Sequence, residues 1–226
     1  MRILITRPRE DGEAIAVRLA AAGHTPVLAP LLAPRWFDGP PLDLAGMDAI
    51  LATSANGVRA LIRRTDRRDI PIFAVGPQTS AEARIAGFTR VENADGDARA
   101  LATAVPRWLA SGALLHVCGE QNEGALAETL TGAGYDVRRE ILYVVEAQPL
   151  PEDATRALQA GLVDAALFFS PRSARIFLEQ ASVIPLQDII ALCISPATAA
   201  VLPLAAFREI RIAARPNQDA LLALLD

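Results

Sequence analysis

Asp48-Ala-Ile-Leu-Ala-Thr-Ser-Ala-Asn-Gly-Val-Arg59 and Asp164-Ala-Ala-Leu-Phe-Phe-Ser-Pro-Arg-Ser-Ala-Arg175 are two versions of one unit. Each opens on an aspartate, runs through apolar residues to a serine and passes into a helical stretch. A second unit follows each in the same order: Ile72-Phe-Ala-Val-Gly-Pro-Gln-Thr79 is matched by Ala191-Leu-Cys-Ile-Ser-Pro-Ala-Thr198. The third match breaks chain order. Leu114–Tyr135 corresponds to Ile3–His24, and both helices end in Ala-Gly before the next strand. The first strand and helix of the chain are thus the last unit of its middle segment, displaced to the front. Two similar α/β domains, one continuous and one assembled from both chain ends, explain this most economically.

The rest of the chain has the same texture. Ile3–Thr6, Ala49–Thr53, Ile72–Val75, Leu114–Cys118, Ala165–Phe169, Ile190–Ile194 and Ile210–Ala213 are short apolar runs without polar alternation. Such runs are too short for helices and fit strands covered on both faces. Between them lie helical stretches, Gly12–Ala22, Asn56–Arg64, Thr79–Ala86, Asp97–Leu109 and Ser173–Gln180. Strand–helix alternation on this scale implies parallel sheets wound with helices. Pro8, Pro77, Pro171, Pro196 and Pro216 follow strand ends closely and suit first helical positions, where the missing N–H has no partner to lose. The expected fold class is α/β: two similar doubly wound parallel-sheet domains joined by a two-stranded crossover, one domain discontinuous. Residues 1–34 plus 147–226 make the discontinuous domain and 36–144 the inserted one, with crossovers near 30–36 and 141–149. A single doubly wound sheet is the competing architecture.

Composition narrows the chemistry. The 226 residues are 52% hydrophobic, 21% charged and 5% aromatic, which excludes disorder and disfavours a base-stacking surface. All 22 basic residues are arginine, and the absence of lysine excludes Schiff-base enzymes, P-loop phosphate binding, protein kinases and Ser–Lys hydrolases. A net charge of −4 argues against nucleic-acid and anionic-membrane partners. No apolar run is long enough for a membrane helix, Met1 leads straight into a strand, and Cys118 and Cys193 read as reduced core residues, so a cytoplasmic protein is expected. His24 and His116 have no ligand-spaced partner, and no metal is expected.

In parallel sheets ligands bind beyond the carboxyl ends of strands, where helix N-termini offer free N–H groups. Those positions are Arg7–Glu10, Ser54–Asn56, Gly76–Thr79, Gly119–Asn122, Ser170–Ser173, Ser195–Thr198 and Arg215–Gln218. They are small, hydroxylated or amide-bearing, and no acid stands first in any of them. Such ends suit carboxylates or phosphates, although ordinary N-capping explains each one singly. Thr79-Ser-Ala-Glu82 has capping-box spacing. Gly119 and Gly124 supply only the outer spacing of a dinucleotide motif, and no nucleophile motif occurs. Arg63, Arg64, Arg67 and Arg68 read as a solvated face after one helix. Arg7 either contacts a ligand or pairs with an acid such as Glu10. Tyr143, one of two tyrosines, lies in the second crossover and suits either a general acid or an amphipathic interface aromatic.

Six motifs in order, Ile5-Thr-Arg-Pro8, Thr53-Ser-Ala-Asn-Gly57, Phe73-Ala-Val-Gly-Pro77, Leu142-Tyr143, Phe168-Phe-Ser-Pro171 and Ile194-Ser-Pro-Ala-Thr198, together resemble the uroporphyrinogen-III synthase family. The resemblance spans nearly the whole chain, displaced repeat included. It implies two α/β domains joined by a two-stranded ladder and a cofactor-free conversion of hydroxymethylbilane to uroporphyrinogen III. Water is lost, the last pyrrole ring is inverted and the macrocycle closes. The implied partner is a linear tetrapyrrole polycarboxylate, which agrees with the anion-binding ends; a monomer is expected. By position, the family's conserved tyrosine falls on Tyr143, the candidate for assisting departure of the hydroxyl. The substrate-facing loops fall on Ser54, Ala55 and Asn56, on Gly76 through Thr79, on Ser170 through Ser173, and on Thr198, with Arg7 and Gly119 as further strand-end candidates. Ser195 departs from the glycine usual in relatives, which puts that contact in question. Because the bilane loses its hydroxyl readily, the enzyme's task is mainly to position the chain in a closing two-domain cleft. The rivals are a non-catalytic two-lobed binding protein for an anionic small molecule and a two-domain glycosyltransferase.

Overall fold

A computed structural model describes residues 1–121 and 125–225. Its elements, in chain order, are β1 (Arg2–Ile5), α1 (Arg9–Ala21), β2 (Thr25–Leu28), β3 (Leu32–Trp36), β4 (Ala49–Ala52), α2 (Ala55–Ile62), β5 (Ile72–Ala74) and α3 (Pro77–Ile85). Then come β6 (Val91–Asn93), α4 (Ala98–Trp108), β7 (Ala113–Gly119), α5 (Ala125–Gly132) and β8 (Asp136–Ala147). The last third holds α6 (Glu152–Gln159), β9 (Ala165–Phe168), α7 (Pro171–Gln180), β10 (Ile190–Cys193), α8 (Pro196–Ala199), β11 (Glu209–Ile212) and α9 (Gln218–Leu222).

The chain divides into two compact units, Met1–Ala33 with Glu146–Asp226, and Pro34–Val145. The first holds a five-stranded sheet in the order β11-β10-β9-β1-β2, every pair parallel. The second holds β8-β7-β4-β5-β6, also parallel, with β3 added beside β8. Read through the sequence repeat, the two orders coincide: β9 stands for β4, β10 for β5, and the displaced β1 for β7. The N–H of Phe37 donates to Leu142 at 2.8 Å and that of Gln148 to Leu31 at 2.9 Å, so β3 runs antiparallel to β8. This pair is the expected two-stranded crossover.

Apolar runs become central strands because both faces are covered. All four residues of β4, β9 and β10 are buried. In the second unit Ile50, Ala52, Leu115 and Val117 face a layer containing α2 residues, while Ala49, Leu51 and Leu114 pack with Leu101 and Val105 of α4. The first unit repeats this, with Leu4, Ala166 and Phe168 packed with α6 and α7, and Ile3, Ile5 and Leu167 packed with α1.

Several local expectations change. Pro77, Pro171 and Pro196 open their helices, but Pro8 is the residue before α1 and Pro216 precedes the Asn217 cap of α9. The capping box at Thr79 does not form. The helix starts two residues earlier, at Pro77, which leaves Thr79 buried inside it and turns Glu82 to Arg59. Arg64 and Arg68 are not merely solvated: Arg64 donates to the carbonyls of Pro40 and Phe37, and Arg68 to those of Ala86, Thr65 and Arg67. Among the described residues no helix is long and apolar enough to cross a membrane.

Candidate functional site

Each unit presents its candidates where strands end and helices begin. Four such ends share one backbone shape. Ser54, Gly76, Ser170 and Ser195 all have φ between −161° and −156°, extended backbone that any residue adopts. The serine at position 195 therefore costs the backbone nothing. Its Oγ accepts from the Thr198 N–H at 3.3 Å and lies 3.1 Å from the Thr198 hydroxyl. Ser170 likewise accepts from the Ser173 N–H at 3.1 Å, while buried Ser173 donates to the Ser170 carbonyl at 3.0 Å. These hydroxyls cap helices first. At Gly76 no side chain caps α3, and the Ser80 hydroxyl donates to the Gly76 carbonyl instead.

In the second unit the Ser54 end carries a further group. Ser54 Oγ accepts from the Gly57 N–H at 3.0 Å and lies 2.8 Å from the Tyr143 hydroxyl. Gly57 lets the start of α2 approach β7, since a Cβ there would come within 3.1 Å of the Val117 carbonyl. Tyr143 reaches this point through a β-bulge in β8. Cys118 pairs with Ile141 but Gly119 pairs with Tyr143, so Leu142 is the extra residue. The Tyr143 ring lies over Gly119 and 5.9 Å from the Trp36 ring, only 7% exposed. Burial pushes its phenol above the ordinary value while the Ser54 hydrogen bond pulls it down. The phenol is therefore protonated at neutral pH and available as a donor.

Asn56, two residues on, is already oriented. Its Oδ1 accepts from Arg59 at 3.1 Å, and Arg59 bridges to Glu82 at 2.8 Å, joining α2 to α3. With Oδ1 turned to Arg59, the Nδ2 amide of Asn56 supplies two N–H donors, suited to an anion. Ala55, at the start of α2, is buried. In the first unit Arg7, just ahead of α1, pairs at 2.8 Å with Asp11 in the first turn of that helix, an acid next to the Glu10 named from the sequence. Its guanidinium also lies 4.9 Å from the centre of the Phe169 ring. Cys118 and Cys193 are buried free thiols, with the Cys193 thiol pushed up to about 12 by burial.

A family model described as uroporphyrinogen-III synthase HemD matches residues 13–223. The chain belongs to the uroporphyrinogen-III synthase family. The enzymes of this family serve tetrapyrrole (haem) biosynthesis. Among solved structures, uroporphyrinogen-III synthetase from Helicobacter pylori is similar at 19% identity, covering 100% of this chain and 98% of that one with a TM-score of 0.67. A mutant uroporphyrinogen III synthase from the extremely thermophilic bacterium Thermus thermophilus is also 19% identical, covering 100% and 97%, with a TM-score of 0.53. At such identity these two speak for the fold. No curated protein matches the sequence significantly.

Of the site residues named from the sequence, Tyr143, Ser54 and Gly119 come together in one group, with Asn56 beside it on α2. Gly76 and Thr79 sit at the start of the neighbouring α3, Thr79 buried in the helix. Arg7, Ser170, Ser173 and Thr198 belong to the first unit. Asn122 and Gly124 lie outside the described residues. Two neighbours went unread in the sequence. Trp36 carries no motif, and Arg59 was signalled only by its i+3 spacing from Asn56.

Proposed function

We propose that the chain is a cofactor-independent lyase that cyclises hydroxymethylbilane to uroporphyrinogen III. The single observation carrying this reading beyond family membership is the buried, protonated Tyr143 phenol set 2.8 Å from Ser54 Oγ. In the proposed step the phenol gives its proton to the departing hydroxyl, which leaves as water and creates an azafulvene cation. Ser54, anchored by the Gly57 N–H, donates to the phenolate and lowers its cost. The terminal ring attacks that cation through its substituted carbon to give a spiro intermediate. The original bond from that carbon to the neighbouring ring's methylene then breaks. The second azafulvene cation so formed is attacked by the terminal ring's free α carbon, closing the macrocycle with the ring inverted. The proton lost as that ring regains aromaticity returns to the phenolate, so acid and base balance over the cycle.

Most of the rate would come from holding the flexible bilane in the reactive order, since orientation alone supplies several kcal/mol. Asn56, Gly76 and the first turn of α3, and in the other unit Arg7 and the starts of α7 and α8, are proposed to receive substrate carboxylates through N–H and guanidinium donors. No observation favours a non-catalytic binding protein. The reading includes a monomer working in the cytoplasm.

Two experiments test it. Purified protein with no metal or coenzyme added should turn hydroxymethylbilane mainly into the type III isomer; only the spontaneous type I isomer, with folded protein in excess, would remove the reading. Tyr143→Phe should lower turnover by about 10²-fold, a typical general-acid contribution. Near-normal turnover would leave Tyr143 a packing residue.

A further inference from the structure

Gly119, named above as a strand-end candidate for substrate contact, has surroundings that bear on Tyr143. It is buried at the end of β7, and its backbone lies outside the left-handed region, so no torsional demand calls for glycine. Space does. A Cβ at this position would lie 2.8 Å from both Cε2 and Cζ of Tyr143 and 3.2 Å from its hydroxyl. Real Cβ atoms essentially never come so close.

The register supplies the other half of the fit. Without the extra residue in β8, Leu142 would stand opposite Gly119 and Tyr143 would fall one position further on. Beyond the bulge the strands are held again. The Glu120 N–H donates to the Tyr143 carbonyl at 2.8 Å, and the Gln121 amide meets both the N–H and the carbonyl of Val145 at 3.3 Å. The backbone of Tyr143 is thus pinned, and a side chain at 119 must push the ring rather than the strand.

We infer that Gly119, together with the bulge at Leu142, is the positioning device that seats the Tyr143 phenol against Ser54. The inference rests on the proposed role of Tyr143 only for its effect on activity. The seating itself has an independent readout.

Tyr135 and Tyr143 are the two tyrosines of the chain, so Tyr135→Phe leaves Tyr143 as the single titrating phenol. In that background Gly119→Ala should bring the phenolate absorbance titration down toward the ordinary value of about 10, because the displaced ring gains solvent. Turnover of hydroxymethylbilane should fall about 10- to 100-fold with KM within about threefold, the pattern of a misplaced reacting group. In a Tyr143→Phe background, Gly119→Ala should cost less than about threefold, since residues acting through one group are not additive. An unshifted titration overturns the inference, and so does an undiminished loss in the Tyr143→Phe background. If Tyr143→Phe alone keeps near-normal turnover, the catalytic reading of the tyrosine fails while the titration still decides the seating. Should Gly119→Ala fold poorly, adding Tyr143→Leu ought to restore cooperative melting to that of Tyr143→Leu alone. Absence of that rescue would also overturn it.

Discussion

His116 sits on β7 fully buried, and among the described residues neither ring nitrogen has a hydrogen-bond partner. Desolvation first, and the Arg139 charge second, depress its folded pKa from 6.5 to about 4. The unfolded chain therefore takes up this proton at higher pH than the folded protein. Stability from the neutral imidazole is fully present above about pH 6.5, and it is lost progressively as pH falls toward 4. The shift corresponds to about 3 kcal/mol. Urea midpoints measured across that window should fall accordingly, and His116→Leu should flatten the fall. An equally steep loss in the variant would assign it to other groups. The sequence showed His116 inside a strand, but not that both nitrogens were sealed from partners. Tyr143 and Ser54 were each legible as candidates at a strand end or crossover. Their contact, across 89 positions, was not, because it depends on one extra residue in β8 that leaves no trace in composition.

Among elements, α4 carries an internal contradiction. Pro106 lies inside it on an exposed position, removing one helical hydrogen bond, while Leu101 and Val105 hold the helix to the sheet by full burial. A proline inside a helix costs about 3 kcal/mol, and its stiffening of the unfolded chain returns at most about 1 kcal/mol. Close to the helix end the cost shrinks, so Pro106→Ala should stabilise the protein by about 1–2 kcal/mol in urea unfolding. A lower midpoint would mean that the ring packs usefully. The central strands and most helices were legible because two-sided burial demands unbroken apolar runs. Of the edge strands, β11 was read as the run Ile210–Ala213, but β2 and β6 were not. β2 contains Pro26, tolerated because the strand lies at the sheet edge, and β6 is three residues with two of them exposed. The charged start of β8, Asp136 to Glu140, likewise shows no apolar run, so the strand begins before the stretch read as a crossover.

At the scale of the molecule, the displaced repeat becomes a dependence of one chain end on the other. β1 lies between β9 and β2 in the five-stranded sheet, pairing with Ala165–Leu167 on one side and Thr25–Leu28 on the other. Deleting residues 1–33 would remove β1, α1 and β2 together. The fully buried β9 would become an edge, its ladder groups unpaired on one side. The face now covered by Ile15 and Leu19 of α1 would also be laid open beside Leu167 and Leu192. Exposed apolar strands with open edges aggregate, so this deletion should yield insoluble protein or a molten first unit. The segment Pro34–Val145 keeps β4, β5, β6 and β7 with their parallel partners, and it keeps α2 to α5. It should fold alone, melt cooperatively and leave hydroxymethylbilane to its spontaneous fate, because the carboxylate contacts proposed for Arg7, Ser170 and Thr198 are absent from it. Circular dichroism melts of both fragments, with isomer analysis of the product, check this. A soluble, cooperatively melting 34–226 fragment would show that β1 is dispensable to its sheet, and a disordered 34–145 fragment would show that the inserted unit does not stand on its own core.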